Sequence, residues 1–403
     1  MNISSHDSRS ELTRAFVGFI SLLGSSVISA IGFIIIASNR WVSFDPASAV
    51  SLILFVQWQT LGLTIAKTGM EQVVFAIVTE NDKAYLEPAR YVFKKAAPLA
   101  GMFSLVVLFV FSPWAACVAF CTILLDTWSL IIMADLNARK RFKTTALSNL
   151  LNYPLFFIAI FSLNYFGRLS TAVTLAVFLA SSCLRWLWMR CNQTTRAGRH
   201  EVDCTANVQM GLQQALNYLL FRADQIVLAV LGLKMQMNGS VGTYVFLAKF
   251  PELVAGVMVV AGAVYFPRMY IRYPFDSQAL ISTIKGYYGY IVSYVAAVTV
   301  ALFAYLYLWN GEAIPLYLAV PFLVHSLCIV LVNNITYSTL RQGYLQRLLV
   351  NLTWSVLAGV VIFLFLKYDF SIRALSWIVP VQLLLFIGIS LTLKWGRSRE
   401  LYG

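Results

Sequence analysis

The residues of this chain that could do chemistry are concentrated in one stretch, NVQMGLQQALNYLLFRADQIVLAVLG, at positions 207–232. At about 100° per residue, one stripe of such a helix carries Gln213, Asn217 and Asp224. A broad stripe about 120° away carries Gln214, Tyr218, Arg222 and Gln225. A helix that is polar on two faces cannot lie against lipid on either face. It therefore lines a wet space or is surrounded by other helices, and the chemistry it offers is hydrogen bonding and charge pairing.

Four charged residues lie in or beside this stretch, and their roles are open. Arg222 either faces a water-filled cavity or pairs with an acid on another helix, and Glu252 is a candidate for that acid. Asp224 lies two positions from Arg222, so the two side chains point in nearly opposite directions and do not pair. Lys249 and Glu252 are three residues apart, which permits a local ion pair at the outer rim.

Other intramembrane polar residues are candidates for ion pairing or for coupling to an ion. Lys67 and Glu71 are four residues apart, which permits an ion pair, and Lys67 can also snorkel to the inner surface. Asp126 is the only acid well inside its apolar stretch and has no obvious partner. His325 lies among polar residues of another stretch, either as a packing residue or as a proton carrier.

Sequence patterns for catalysis and for metal binding are missing. The chain has no glycine-rich phosphate loop, no paired-metal spacing, and no Cys/His or Ser/His arrangement with a third partner. The six cysteines lie in apolar stretches or beside basic segments, so no disulfide framework is indicated. We expect no cofactor, no metal and no enzymatic activity. Without a nucleotide-binding motif, any transport is driven by an ion gradient, by the substrate's own gradient or by a separate protein.

The elements that position these residues are long apolar stretches. Hydrophobic residues make up 60% of the chain and charged residues 12%, with a mean hydropathy of +0.75, whereas soluble proteins are about 25% charged. A membrane-spanning helix needs roughly 20 apolar residues. Candidate spans lie at 14–38, 49–66, 96–113, 115–134, 145–166, 170–189, 207–232, 241–266, 285–309, 313–339, 346–367 and 371–394. Prolines 154, 251, 321 and 380 fall inside these spans and are expected to kink them.

Basic residues are distributed unequally between the two sides of the membrane. If the N-terminus is inside, 22 of the 30 Lys and Arg residues, Arg185 among them, fall on inner segments. Five fall on outer loops, and Lys67, Arg222 and Lys249 fall within or at the edge of spans. This split is a positive-inside signal, so we predict a multi-pass protein with both termini in the cytoplasm. It also accounts for the net charge of +13 without a nucleic-acid partner.

The longest polar connection in the middle of the chain divides the spans into two sets of six. It runs CNQTTRAGRHEVDCTA at 191–206. We predict an N-terminal lobe at 1–190, a cytoplasmic linker at 191–206 and a C-terminal lobe at 207–403. The predicted fold class is an all-α polytopic membrane protein with about twelve transmembrane helices in two six-helix lobes around a central cavity, an arrangement common among secondary transporters.

The seventh and eighth spans resemble the central pattern of polysaccharide and O-antigen flippases, a family of the multidrug/oligosaccharidyl-lipid/polysaccharide exporter superfamily. The matching segments are LNYLLFRADQIVLAVLG and VGTYVFLAKFPELV. The matching positions are Arg222, Asp224, Gly232, Val241, Gly242, Tyr244 and Ala248. The segment LGLTIAKTGMEQVVFAIV of the second span also resembles the family. The close match covers about 45 residues, and the six-plus-six arrangement extends it over the chain.

The resemblance implies a flippase that moves a polyprenyl-diphosphate-linked oligosaccharide from the inner to the outer leaflet of the bacterial plasma membrane. It implies that basic residues of a cavity contact the diphosphate, with Arg222 first, Lys249 second and Lys67 third. Gln214, Asn217 and Tyr218 are candidates for sugar contacts. The partners would be the lipid-linked oligosaccharide and the bilayer, with a coupling proton or sodium ion and polysaccharide-assembly proteins as further candidates.

Two alternatives remain. An ion-coupled multidrug exporter of the same superfamily is the first, although proton-coupled drug exporters tend to carry an acid in the first helix and the span 14–38 has none. A membrane glycosyltransferase, acyltransferase or polymerase is the second. The outer loops, roughly ten residues at the longest, argue against an outward-facing active site of that kind.

Overall fold

The protein was examined as a computed structural model. It describes residues 28, 32, 35, 46–67, 69–71, 74, 78, 87–139, 141–193, 208–231, 244, 248, 316–341, 345–366 and 372–398. Within these ranges the regular structure is entirely helical. Six helices in the described ranges are long and apolar enough to cross a membrane. The predicted first, eighth and ninth spans lie outside the described residues, apart from isolated positions, and so does most of the predicted linker.

The chain divides into two compact units, Met1–Ala215 and Leu216–Gly403. The division falls inside a helix rather than in the segment 191–206, and the lobe boundaries from the sequence stay a prediction. The first unit contains α1 (Pro46–Lys67), α2 (Pro88–Tyr91), a π-helical turn (Val92–Ala96), α3 (Ala97–Val110), α4 (Pro113–Ala138), α5 (Phe142–Leu150), α6 (Tyr153–Tyr165) and α7 (Thr171–Cys191). Helix α8 (Val208–Leu231) contains the division, and α9 (Leu316–Arg341), α10 (Leu345–Leu366) and α11 (Ile372–Ser398) belong to the second unit.

Capping residues account for the tight connections of the first unit. The Ser112 hydroxyl accepts a hydrogen bond from the backbone N–H of Ala115 at 3.1 Å, and Pro113 follows in the first turn of α4. A serine cap followed by proline is a strong helix start, so α3 and α4 form a tight hairpin. Ser170 caps α7 in the same way. Gly167 precedes it with a φ of 65°, a conformation that favours glycine.

The core of the first unit is built around α4, which packs against α1, α3 and α7. Phenylalanine rings fill the space between the helices, with the rings of Phe55 and Phe178 6.1 Å apart and those of Phe156 and Phe178 5.5 Å apart. The Tyr91 hydroxyl is buried and donates to the carbonyls of Ala66 at 3.2 Å and Lys67 at 2.9 Å. The last turn of α1 is therefore tied to α2.

Proline has a different effect at two of the predicted kink positions. The predicted fifth span is interrupted at Leu151 and Asn152, and Pro154 lies in the first turn of the following helix, α6. Because proline lacks an N–H and disfavours helix in the preceding residue, the chain starts a new helix there. Pro380, in contrast, lies within the continuous helix α11.

The second unit has an apolar core in which α9 and α10 pack against α11. Its buried members are Leu220, Cys328, Ile329, Val332, Leu348, Leu352, Val379, Leu383 and Phe386. Leu220 comes from α8, so one side of that helix faces this core. Gly359 of α10 lies directly against the side chain of Gln382 of α11, and Gln382 donates to the carbonyl of Val356 at 3.4 Å.

Candidate functional site

Helix α8 carries most of the sequence-predicted site residues, and its backbone departs from helical geometry at Arg222. The φ and ψ of Arg222 are −140° and 18°, so two helical segments meet at this residue. The side chain of Arg222 is half-buried. Its guanidinium lies over the ring of Tyr218, 5.3 Å from the ring centroid, as expected for a cation–π contact. The structure thus brings together two of the predicted binding residues.

Amide groups lie one to two turns before Arg222 on the same helix. Gln214 and Asn217 are half-buried. Their side-chain carbonyl oxygens are buried without a hydrogen-bond partner among the residues that the structure describes. Buried polar atoms are normally hydrogen-bonded, and one that is not costs about 1–3 kcal/mol. The segment is therefore rich in hydrogen-bonding capacity that the described part of the protein does not use.

Asp224 is hydrogen-bonded to a residue other than Arg222. It is 1% exposed, and its Oδ2 accepts a hydrogen bond from the hydroxyl of Tyr244 at 2.5 Å. Tyr244 is itself fully buried and stacks obliquely on Phe322 of α9. The Asp224–Tyr244 bond therefore holds two parts of the second unit together. Tyr244 belongs to the motif behind the resemblance, but no sequence pattern predicts this contact.

The buried carboxylate of the first unit has the partner that sequence reasoning did not find. Asp126 of α4 is 4% exposed, and its Oδ1 lies 3.5 Å from Nη1 of Arg185 of α7. The Oδ2 of Asp126 accepts hydrogen bonds from Gln59 of α1 at 3.3 Å and from Ser182 of α7 at 3.4 Å. Nε of Arg185 donates to Ser148 at 3.4 Å. These contacts, which we call the Asp126 network, join four helices of the unit, α1, α4, α5 and α7.

The Asp126 network supplies a partner that local spacing did not show, in keeping with ion pairing as one of the candidate roles of Asp126. It also corrects one sequence interpretation. The placement of Arg185 in an inner loop is wrong, because Arg185 is 5% exposed within α7. Asp126 and Arg185 are 59 positions apart. Spacing rules within one helix cannot predict an ion pair between two helices. One signal was present in the sequence, since the apolar residues Leu184 and Trp186 flank Arg185 and continue the span.

The structure describes three of the five remaining candidate residues, Lys67, Glu71 and His325. Lys67 and Glu71 form the ion pair that their spacing permits, with Nζ and Oε1 2.7 Å apart. His325 is buried within α9, 3% exposed. Lys249 and Glu252 lie outside the described residues. In the described ranges no group of three His, Cys, Asp or Glu side chains is arranged to hold a metal ion.

Comparison with known proteins identifies the fold but no close relative. No protein-family model matches the sequence. No curated protein sequence matches it significantly. Among solved structures, the inward-facing conformation of a multidrug resistance MATE family transporter of the MOP superfamily is similar, with a TM-score of 0.56 and 12% identity over 96% of this chain and 98% of that chain.

Two further solved structures of MATE transporters are similar to this chain. The outward-facing conformation of a multidrug resistance MATE family transporter matches with a TM-score of 0.54 and 12% identity over 95% of both chains. A eukaryotic MATE transporter matches with a TM-score of 0.56 and 12% identity over 95% of both chains. The predicted fold class, an all-α polytopic membrane protein with about twelve transmembrane helices in two six-helix lobes, is confirmed. The chain has the fold of the MATE transporters of the MOP superfamily.

Proposed function

We propose that the protein is an alternating-access transporter and that its cargo is a polyprenyl-diphosphate-linked oligosaccharide, moved from the inner to the outer leaflet of a bacterial plasma membrane. The likeness to MATE transporters over almost the whole chain supports transport. The choice of cargo is supported by the residues of α8 and by the resemblance of the segments around Arg222 to polysaccharide flippases. In this proposal both termini are cytoplasmic.

The observation that carries the choice of cargo is the guanidinium of Arg222 over the ring of Tyr218. Both residues lie in the apolar stretch 207–232, which the sequence predicts to span the membrane. A guanidinium donates two parallel hydrogen bonds to phosphate oxygens, which suits a diphosphate. The unused amide oxygens of Gln214 and Asn217 are acceptors for sugar hydroxyl groups.

Four of the five acids in the described residues favour an anionic cargo over a cationic one, and the fifth, Glu87, is exposed outside the helices. Asp126 faces Arg185, and Asp224 accepts from Tyr244. Near the helix ends, Glu71 pairs with Lys67, and Asp135 pairs with Arg139 at 3.0 Å. Each of these carboxylates is engaged within its own unit, whereas a site for a cationic drug needs acids available to the drug. Asp126, Asp224, Glu71, Glu252 and His325 remain our candidates for coupling transport to protons or sodium.

A multidrug exporter is the second candidate function. The solved structures with the same fold include multidrug resistance transporters, and buried carboxylates occur in both units, Asp126 in the first and Asp224 in the second. This candidate predicts that expression of the protein raises resistance to cationic dyes. The flippase predicts no such resistance.

Binding of a polyprenyl diphosphate tests the proposed cargo directly. The purified protein is titrated with a long-chain polyprenyl diphosphate and with the corresponding uncharged polyprenol. We expect selective binding of the diphosphate and a 10- to 100-fold loss in Arg222→Gln, because a hydrogen bond to a charged group contributes about 1.5–3 kcal/mol. Arg373→Gln, which removes an exposed arginine of the same unit, should leave binding unchanged.

A cellular assay tests the flippase function and the role of Arg222 independently. Deletion of the gene should strand lipid-linked repeat units in the inner leaflet, and Arg222→Gln should reproduce this defect with normal protein levels. If deletion strands no lipid-linked sugar and dye efflux is lost instead, the flippase proposal is wrong. If deletion strands the lipid-linked units but Arg222→Gln exports them normally, the function stands and the role of Arg222 is wrong.

A further inference from the structure

A cluster of aromatic and basic side chains lies on the first unit, at the ends of α4 and α7 and beside the π-helical turn. Trp128 of α4 is at its centre. The ring centroids of Phe93 and Trp186 lie 6.2 Å and 5.6 Å from that of Trp128, both edge-on, and the guanidinium of Arg190 lies over the Trp128 ring at 5.8 Å. Lys94 and Lys95 follow Phe93 in the π-helical turn. We call this cluster the aromatic–basic patch.

The depth of the patch follows from helix lengths. Trp114 at the start of α4 donates its indole N–H to the carbonyl of Ala172 at the start of α7, at 3.3 Å, so these two helix ends are level. At about 1.5 Å per residue, Arg190 lies roughly 27 Å further along α7. Phe93 lies roughly 26 Å from Val110. Val110 is the last residue of α3, directly before the turn to α4. The hydrocarbon core is about 30 Å thick, so the patch lies at its opposite boundary.

Exposure shows which way the patch faces. Phe93 is 66% exposed, and Leu184 and Leu187, on the turns of α7 before Arg190, are 45% and 48% exposed. Apolar side chains with this exposure on a membrane protein lie against acyl chains. Lys94, Lys95 and Arg190 are exposed beside them. The patch is therefore open to lipid rather than to the interior of the unit.

The three cations of the patch, Lys94, Lys95 and Arg190, form no ion pair with any acid in the described part of the chain. The polar contact of Arg190 is with a neutral group, the amide oxygen of Gln193 at 2.8 Å. Positive charge therefore accumulates at a membrane boundary, on a surface that also carries the exposed ring of Phe93. Its natural complement is an anionic group held at the same depth.

We propose that the aromatic–basic patch binds the headgroup of an anionic phospholipid of the adjacent leaflet. The cations donate to the phosphate oxygens, and the exposed ring of Phe93 lies along the upper part of the acyl chains. The positive-inside distribution of the loops places this boundary on the cytoplasmic side, where anionic lipids attract basic segments. The proposal concerns a resident lipid and does not depend on which cargo the protein transports.

Native mass spectrometry of the full-length protein tests the proposal. The protein is titrated with phosphatidylglycerol and with phosphatidylcholine of identical acyl chains. We expect a preference for phosphatidylglycerol that falls at least tenfold when all three cations are changed to glutamine, since each is expected to contribute about fivefold. A second variant, Arg190→Lys, keeps the charge and should retain most of the preference.

The control removes the same number of exposed positive charges elsewhere, through Arg168→Gln, Arg347→Gln and Arg373→Gln together. It should leave the preference for phosphatidylglycerol intact, and thermal unfolding should show that both triple variants are folded. The proposal is overturned if the patch variant keeps its preference. It is also overturned if the control loses as much, because the preference would then come from net charge rather than from this site.

Discussion

Removal of Arg185 should be one of the most destabilising polar substitutions in the first unit. At 3.5 Å and an effective dielectric constant of about 20, two unit charges attract by roughly 5 kcal/mol. Arg185→Gln removes this attraction from the carboxylate of Asp126, which is 4% exposed. Among the residues that the structure describes, Gln59 and Ser182 then remain as its donors. Breaking a buried pair by removing one partner costs about 3–5 kcal/mol.

The double variant Asp126→Asn/Arg185→Gln supplies the decisive comparison. It removes both charges and keeps polar side chains of similar size, so it should recover most of the lost stability. Thermal unfolding in detergent micelles, followed by tryptophan fluorescence at one fixed scan rate, measures the effect. At about 2–4 °C per kcal/mol, we expect Arg185→Gln to lower Tm by roughly 10 °C and the double variant to lower it by only a few degrees.

The Lys67–Glu71 pair provides the control, since its side chains are 16% and 26% exposed and lie one turn apart. Lys67→Gln should cost less than about 1 kcal/mol. The reasoning fails if Arg185→Gln is no more damaging than Lys67→Gln. It fails equally if the losses of Asp126→Asn and Arg185→Gln simply add in the double variant, because the two side chains would then not be coupled.

Two further predictions concern packing and hydrogen bonding. A Cβ at Gly62 would meet the ring of Phe103 and would lie 2.7 Å from Cδ1 of Ile123, so Gly62→Ala should lower the free energy of unfolding by about 1–2 kcal/mol. Gly388→Ala, with open space around the new methyl group, should raise stability by up to about 1 kcal/mol; equal Tm values for the two variants would contradict this. Tyr244→Phe removes the donor to Asp224 and should cost about 1–3 kcal/mol, and an unchanged Tm would show that this bond contributes nothing.

Much of the fold could be predicted because membrane spans depend on local composition. Apolar length was enough to predict α3 and α4 as consecutive spans, and a spacing of four was enough to predict an ion pair between Lys67 and Glu71. The partner of Asp126 could not be predicted because it depends on how α4 and α7 pack. Arg185 was wrongly assigned to an inner loop for a related reason. A charged residue near the end of an apolar stretch is compatible both with the last turns of a helix and with the start of a loop.

In the candidate site too, contacts within one helix could be predicted from the sequence, whereas the backbone geometry could not. Helical spacing was enough to put Tyr218 and Arg222 on one stripe, and the structure has them in contact. The distorted backbone at Arg222 could not be foreseen, because neither proline nor glycine occurs between Leu216 and Leu231. Local sequence gives no signal for a helix that bends without such a residue.

The phenol of Tyr91 has a mechanical consequence for the first unit. By donating to the two carbonyls at the end of α1, it fastens this helix to α2 directly, and α2 runs through the π-helical turn into α3. Helices α1 and α3 are thus connected by these hydrogen bonds as well as by the intervening chain. We expect α1 and α3 to tilt together as one rigid body whenever the unit changes conformation.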